Sequence, residues 1–361
     1  MVQRRPPVAV VRAAAAVSRS LHRLADVSMP AEIRMLRMIN AAVDSEVVLA
    51  MVRLGVPDAL RLRPLPLEEL AERTDSDSTG LLRLLRVAES LDLVHRREDR
   101  FGLTPLGEVL VTDRPASMAP FATYFGFDST RRAWSMLTEA VRGNRPVFAD
   151  ANGATVWDWF AAHPDELATF STTMRTVAEL NGAELAESYP WEPGSVICDV
   201  GGGVGTMLNQ FLATDPTLRG VVLDSPDVLA DATGNLAGKG LSDRVELVPG
   251  SFFEPFSITA NVFTMKDVLH DWDDESCRRI LRNVHDSLRP EDRVVLFEIP
   301  QDPQQAHPLA PFVDLTMLCH TDGGRQRTLA EFDELFAATG LRRARVTETA
   351  LHAAIEAVPI D

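Results

Sequence analysis

Cysteine is scarce in this chain. Three in 361 residues (Cys198, Cys277 and Cys319) stand far apart, without metal-ligand spacing. They point to reduced thiols in a cytoplasmic protein and exclude a disulfide scaffold. No apolar run approaches the roughly 20 residues of a membrane span, so no membrane partner is expected. Positive charge is also short: 36 basic against 52 acidic residues give a formal net charge of −16. That argues against nucleic acid, whose phosphates need a basic face. Lysine is nearly missing, with only Lys239 and Lys266. Such an arginine bias suggests a GC-rich bacterial genome and makes each surviving lysine worth notice.

The hydrophobic content of 45% and the length suit a soluble protein with one large domain and a smaller one. Residues 1–30 hold five arginines and an alanine run, Ala13 to Ala16. They read as a flexible or helical N-terminal extension, with a faint likeness to an organelle transit peptide.

Residues 31–115 read as helices closed by one small hairpin. Ile33, Leu36, Met38, Ile39 and Val43 recur at helical spacing. Leu93 to Arg96 and Arg100 to Leu103 alternate around a charged tip. Two helices, a turn and a hairpin make a winged-helix pattern. Arg83, Arg86, Arg96 and Arg97 give it positive charge, which Glu89, Asp92, Glu98 and Asp99 nearly cancel. Subunit pairing is therefore the stronger use, because Leu36, Met38, Leu49, Met51 and Leu54 exceed what so small a core needs. Residues 116–190 read as a helical, aromatic-rich linker from which an apolar pocket can be walled.

From residue 191 strands alternate with helices, near 195–200, 219–224, 244–249, 261–266 and 293–299. That pattern predicts a mostly parallel, doubly wound sheet. Residues 344–348 and 351–358 follow so closely that they must pair antiparallel. A seven-stranded α/β sheet with an antiparallel last hairpin is the expected outcome.

The run Val196-Ile197-Cys198-Asp199-Val200-Gly201-Gly202-Gly203-Val204-Gly205 ends a strand in an acid and then glycines. A dinucleotide fingerprint would place a further glycine where Thr206 stands, so the spacing weakens a pyrophosphate reading and leaves room for an adenosyl ligand without phosphate. Asp224 closes the next strand about 20 residues on, where an acid can hold ribose hydroxyls. The third strand end leads into Gly250-Ser251-Phe252-Phe253, whose aromatics can stack on a purine. The fourth carries Lys266, with His270 one helical turn further and Asp271 beside it. Imidazole is the natural group for taking a proton from a phenol-like hydroxyl. Glu298 ends the fifth strand at the same edge and can orient that ring. Asp273, Asp274 and Glu275 are a solvated helix start rather than a metal site.

Together these segments resemble the S-adenosylmethionine-dependent O-methyltransferases of the plant caffeate type and their bacterial polyketide-tailoring relatives. The likeness rests on Asp199 to Gly203, Gly250 to Phe253, Leu269-His270-Asp271-Trp272 and Gly323-Gly324-Arg325-Gln326-Arg327-Thr328. It implies a Rossmann-like seven-stranded methyltransferase domain with an N-terminal all-helical winged-helix-like dimerisation domain, the small hairpin apart. It further implies that Asp199, Gly201, Gly202 and Gly203 cradle the methionine part of S-adenosyl-L-methionine, leaving S-adenosyl-L-homocysteine as product. Asp224 would hold the ribose, Ser251 and Phe252 the adenine, and Lys266 would help close the site. His270 is implied as general base, held by Glu298, with Asp271 in the same catalytic set. Phe170, Met174, Met317 and Thr321 match positions lining the acceptor pocket, and the implied partners are a small aromatic acceptor and a second copy of the chain. No metal is implied. The family usually has Asp where Ser251 stands, and many members have Glu where Gln326 stands. An amide orients an imidazole but cannot stabilise an imidazolium by charge, so the base role is placed on His270 and Glu298 rather than Gln326. Hydroxylation or decarboxylation on the same fold, and a regulator sensing an adenosyl ligand, are the alternatives.

Overall fold

In a computed structural model, residues 17, 29–238, 240–301 and 309–360 are described. The extension at 1–30 lies almost wholly outside them. The chain divides into two compact units. One holds residues 1–128 and 165–176, the other residues 129–164 and 177–361. Residues 116–190 therefore form no body of their own and are shared between the two.

In the first unit, α1 (Ala31–Arg53), α2 (Leu67–Arg73) and α3 (Ser78–Ser90) precede the expected hairpin, β2 (Val94–Arg97) and β3 (Arg100–Leu103). A two-residue strand, β1 (Leu65–Pro66), pairs with β3 and was too short to read from sequence. Asp77 caps α3 by accepting the Gly80 N–H at 2.8 Å. The core gathers Met51, Val56, Leu60, Leu70, Leu81, Leu85 and Phe101. Met51 and Leu49 are thus buried, contrary to the expectation that they face a partner. Ile33, Met35, Leu36, Met38, Ile39 and Val43 do lie exposed, Met38 at 71%.

The second unit is built on seven strands, the first five being β4 (Val196–Val200), β5 (Arg219–Asp224), β6 (Val245–Pro249), β7 (Val262–Lys266) and β8 (Arg293–Glu298). With β9 (Leu341–Glu348) and β10 (Ala353–Pro359) the order is β6-β5-β4-β7-β8-β10-β9. β10 runs antiparallel to both its neighbours, and the other pairs are parallel. Alternate residues feed two cores, as strand geometry dictates. On one face Cys198, Met265, Val294 and Leu296 meet α7 (Asp274–His285) and α8 (Leu329–Ala337). On the other, Ile197, Val222, Val295 and Phe297 meet α5 (Thr206–Leu212), α6 (Pro226–Gly238) and the end of α4 (Pro164–Ser188). Phe211 stacks on Phe297 at 5.3 Å; burying each such ring contributes about 2 kcal/mol. Every strand end of interest opens at one edge, the carboxyl end, where parallel sheets hold ligands.

Candidate active site

β4 ends at Val200, and Gly201 turns the chain with φ 69°. A Cβ there would sit 3.2 Å from Val268 Cγ2 and 3.5 Å from the Phe252 ring. Only glycine meets both conditions. The Gly203 N–H donates to Asp224 Oδ2 at 2.8 Å and the Ser225 N–H to Oδ1 at 2.7 Å. Asp224 is thereby fixed beside the turn with lone pairs to spare, and burial raises its pKa. Beneath the turn Asp199 is buried. Its Oδ1 accepts the Thr264 hydroxyl at 2.8 Å, while Oδ2 has no hydrogen-bond partner among the described residues. Burial pushes its pKa up to about 7.

Phe252 packs tilted on Phe253 and edge-on to Trp272, at centroid distances of 4.9 and 6.1 Å. Ser251 is exposed and its Oγ accepts the Phe253 N–H at 3.2 Å. Its hydroxyl thus shapes the local turn as well as standing at the expected place.

Lys266 ends β7 as expected, but its ammonium rests on the Asp267 carboxylate. Asp267 sits in the left-handed region, φ 53°, so the chain does not run on from Lys266 as an α-helical turn. Asp267 is also 2.9 Å from His352 Nε2, and His352 Nδ1 lies 3.1 Å from Asn181. Interaction with the His352 ring and the Lys266 ammonium holds the Asp267 carboxyl well below its usual range despite burial. None of Asp267, His352 and Asn181 was singled out from sequence.

His270 sits in a single 3₁₀ turn, Leu269–Asp271, and is 9% exposed. Its Nδ1 lies 2.8 Å from the Gln326 amide and 3.5 Å from Glu298 Oε2. Gln326 is therefore the nearer of the two partners. Nε2 has Asp271 Oδ1 at 3.6 Å and no hydrogen bond among the described residues. Burial lowers the His270 pKa to about 4, opposed by the Asp267 charge. Burial also raises the carboxyls of Glu298 and Asp271 well above the ordinary range. Glu298 Oε1 accepts the Leu269 N–H at 3.1 Å, so Glu298 holds the backbone of the turn as well as facing the ring. Asp267, His270 and Glu298 bring ligand-type atoms within 4.8 Å of one another, but Asp267 is already paired with Lys266 and His352. Of the acids after His270, Asp273 caps α7 and Asp274 pairs with Arg325 and Arg327.

Of the expected acceptor-lining residues, Phe170 and Met174 belong to the first unit, where Phe170 packs 5.5 Å from Tyr124. Met317 and Thr321 belong to the second and are joined by the Thr321 hydroxyl donating to the Met317 carbonyl at 2.9 Å.

An O-methyltransferase domain model matches residues 134–342, and an O-methyltransferase dimerisation model matches residues 36–113. The chain belongs to the O-methyltransferase family. Among curated relatives, the mitomycin biosynthesis 6-O-methyltransferase of Streptomyces lavendulae is 35% identical over 295 residues, covering 81% of this chain and 83% of that one. The solved structure of a mitomycin 7-O-methyltransferase superposes with a TM-score of 0.85 at 31% identity, over 94% of this chain and 99% of that one. An O-methyltransferase from neocarzinostatin biosynthesis, solved with S-adenosylmethionine and 2-hydroxy-5-methyl naphthoic acid, gives 0.75 at 28% identity, over 88% and 96%. This O-methyltransferase uses S-adenosylmethionine, and the matches favour methyl transfer over the alternative chemistries. Its residues suit that donor. The glycine turn carries no side chain, Asp224 retains free lone pairs, Phe252 offers an apolar ring and Asp199 Oδ2 is an unspent acceptor.

Proposed function

We propose that the chain methylates a hydroxyl of a small, mostly apolar aromatic molecule of secondary metabolism, with His270 as general base and no metal. One observation carries this reading: a buried ring, neutral at pH 7, anchored at Nδ1 and open at Nε2. Asp199, the glycines 201 to 203, Asp224, Ser251, Phe252 and Lys266 would hold the donor. Within the second unit, Met317 and Thr321 would line the acceptor.

S-adenosylmethionine supplies, when bound, a methyl group already activated on a sulfonium. The chain's task is then to place an acceptor oxygen and remove its proton. For Nε2 to accept a proton, Nδ1 must carry one. The Gln326 amide presents its nitrogen to Nδ1; turned end for end, it presents its oxygen and accepts the Nδ1 proton. The two ends are nearly isosteric, so the exchange needs no other movement. Moving a proton from a phenol of pKa about 10 to a ring at about 4 costs about 8 kcal/mol. His270 therefore takes the proton as the oxygen is alkylated, not beforehand, with the Asp267 carboxylate favouring the growing charge.

The exposed apolar face of α1 and the match to a dimerisation domain support a homodimer. The three buried free thiols support a cytoplasmic setting. No helix among the described residues is long and apolar enough to cross a membrane.

The test is a panel of phenols, naphthols and hydroxybenzoates incubated with methyl-labelled donor, wild type beside His270→Ala. Transfer to a phenolic oxygen that falls at least about 100-fold in the variant, with unchanged affinity for S-adenosyl-L-homocysteine, supports the reading. Full turnover by His270→Ala removes the base.

A further inference from the structure

The 3₁₀ turn that carries His270 is gripped by the segment 321–328. Trp272 forms an antiparallel bridge with Gly323. A Cβ on Gly324 would fall 2.4 Å from the His270 carbonyl oxygen, so the two backbones touch. At the centre of this contact is Arg327, a guanidinium only 1% exposed. Its NH1 donates to the Leu269 carbonyl at 2.7 Å and its NH2 to the Trp272 carbonyl at 2.7 Å. Nε and NH2 also donate to Asp274 Oδ1, at 3.0 and 2.8 Å.

We infer that Arg327 is a positioning residue, which fixes the orientation of the His270 ring by clamping the backbone on both sides of it. This inference rests on the proposed role of His270. Burying a guanidinium costs several kcal/mol, and replacing a buried ion pair with apolar side chains of similar volume is often neutral or stabilising. Stability alone is a weak reason for so buried a cation. Geometry is a better one. A planar fork spans two carbonyls three residues apart and a carboxylate at once, which a single ammonium cannot do. The neighbouring residue, Gln326, holds the ring at Nδ1. Two consecutive loop residues thus hold both the frame of His270 and its side chain. A loose frame is costly, because a displacement on the order of 1 Å at a reacting group can reduce rate about 100-fold.

The experiment uses full-length protein labelled with ¹⁵N-histidine, the His270 ring signals being assigned with His270→Ala. In Arg327→Lys the His270 ring is expected to titrate at least about one unit nearer the ordinary histidine value of roughly 6.5. The other histidines should stay unmoved, and affinity for S-adenosyl-L-homocysteine should stay within about twofold, as expected if only the turn is loosened. A His270 titration identical to wild type in folded Arg327→Lys overturns the inference, as does a common shift of all histidines. Should Arg327→Lys not fold, Asp274→Asn, at a half-exposed site, carries the same expectation in smaller measure; an unmoved His270 ring there also overturns it. Because the signal is read without turnover, a failure of His270 as base remains visible separately, as retained activity in His270→Ala.

Discussion

The Gln326 amide lies 2.8 Å from His270 Nδ1, within the contact distance where a carboxylate would act most strongly on the ring. A neutral partner there leaves burial as the dominant influence, and burial lowers the ring pKa to about 4. The base needs its neutral form, so the wild type should keep kcat/KM down to about pH 5. Gln326→Glu places an opposite charge on the ring and should raise its pKa by about 1–3 units. The acid limb of the kcat/KM profile should move up by that amount. Coincident profiles for the two proteins would show that this contact does not govern the base.

Asp224→Ala should weaken S-adenosyl-L-homocysteine binding by roughly 1–3 kcal/mol through lost charge-assisted hydrogen bonds. The freed Gly203 N–H adds to the loss. Calorimetry with equal affinities in both proteins would contradict the assignment.

Asp199 gives a stability prediction. Its folded pKa of about 7 lies above the unfolded value near 3.8. The unfolded chain therefore ionises first as pH rises from 4 to 7, and folding loses up to about 4 kcal/mol over that window. Asp199→Asn keeps an oxygen for Thr264 and has nothing to ionise. Its melting temperature should match wild type near pH 4 and exceed it increasingly towards pH 8. A pH-independent difference in thermal melts would rule out the buried carboxyl as the cause.

Met38→Glu, alone or with Ile39→Glu, puts charge on the exposed face of α1. Light scattering should then report a monomer whose circular dichroism is that of wild type. A persisting dimer would place the interface elsewhere.

The sheet was legible because its strands alternate between two buried faces. Ile197 and Cys198, or Val295 and Leu296, go to opposite cores. The glycine turn, Asp224, His270 and Glu298 were legible because each closes or follows such a strand. Asp267, His352 and Asn181 were not, since 85 and 171 positions separate the bonded pairs and no local pattern marks them. Helical periodicity found the apolar residues of α1 but not which of them face inward; Leu49 and Met51 turned out buried. That Gln326 can orient an imidazole was legible from its amide, but its 2.8 Å approach to His270 Nδ1 depends on a loop path that only the folded backbone defines.

β10 lies inside the sheet, between β8 and β9, although it follows both in the chain. β9 pairs with β10 alone, so it joins the sheet only when β10 is seated against β8. The same seating brings the His352 imidazole to Asp267, so the crevice is complete only once this last hairpin has docked.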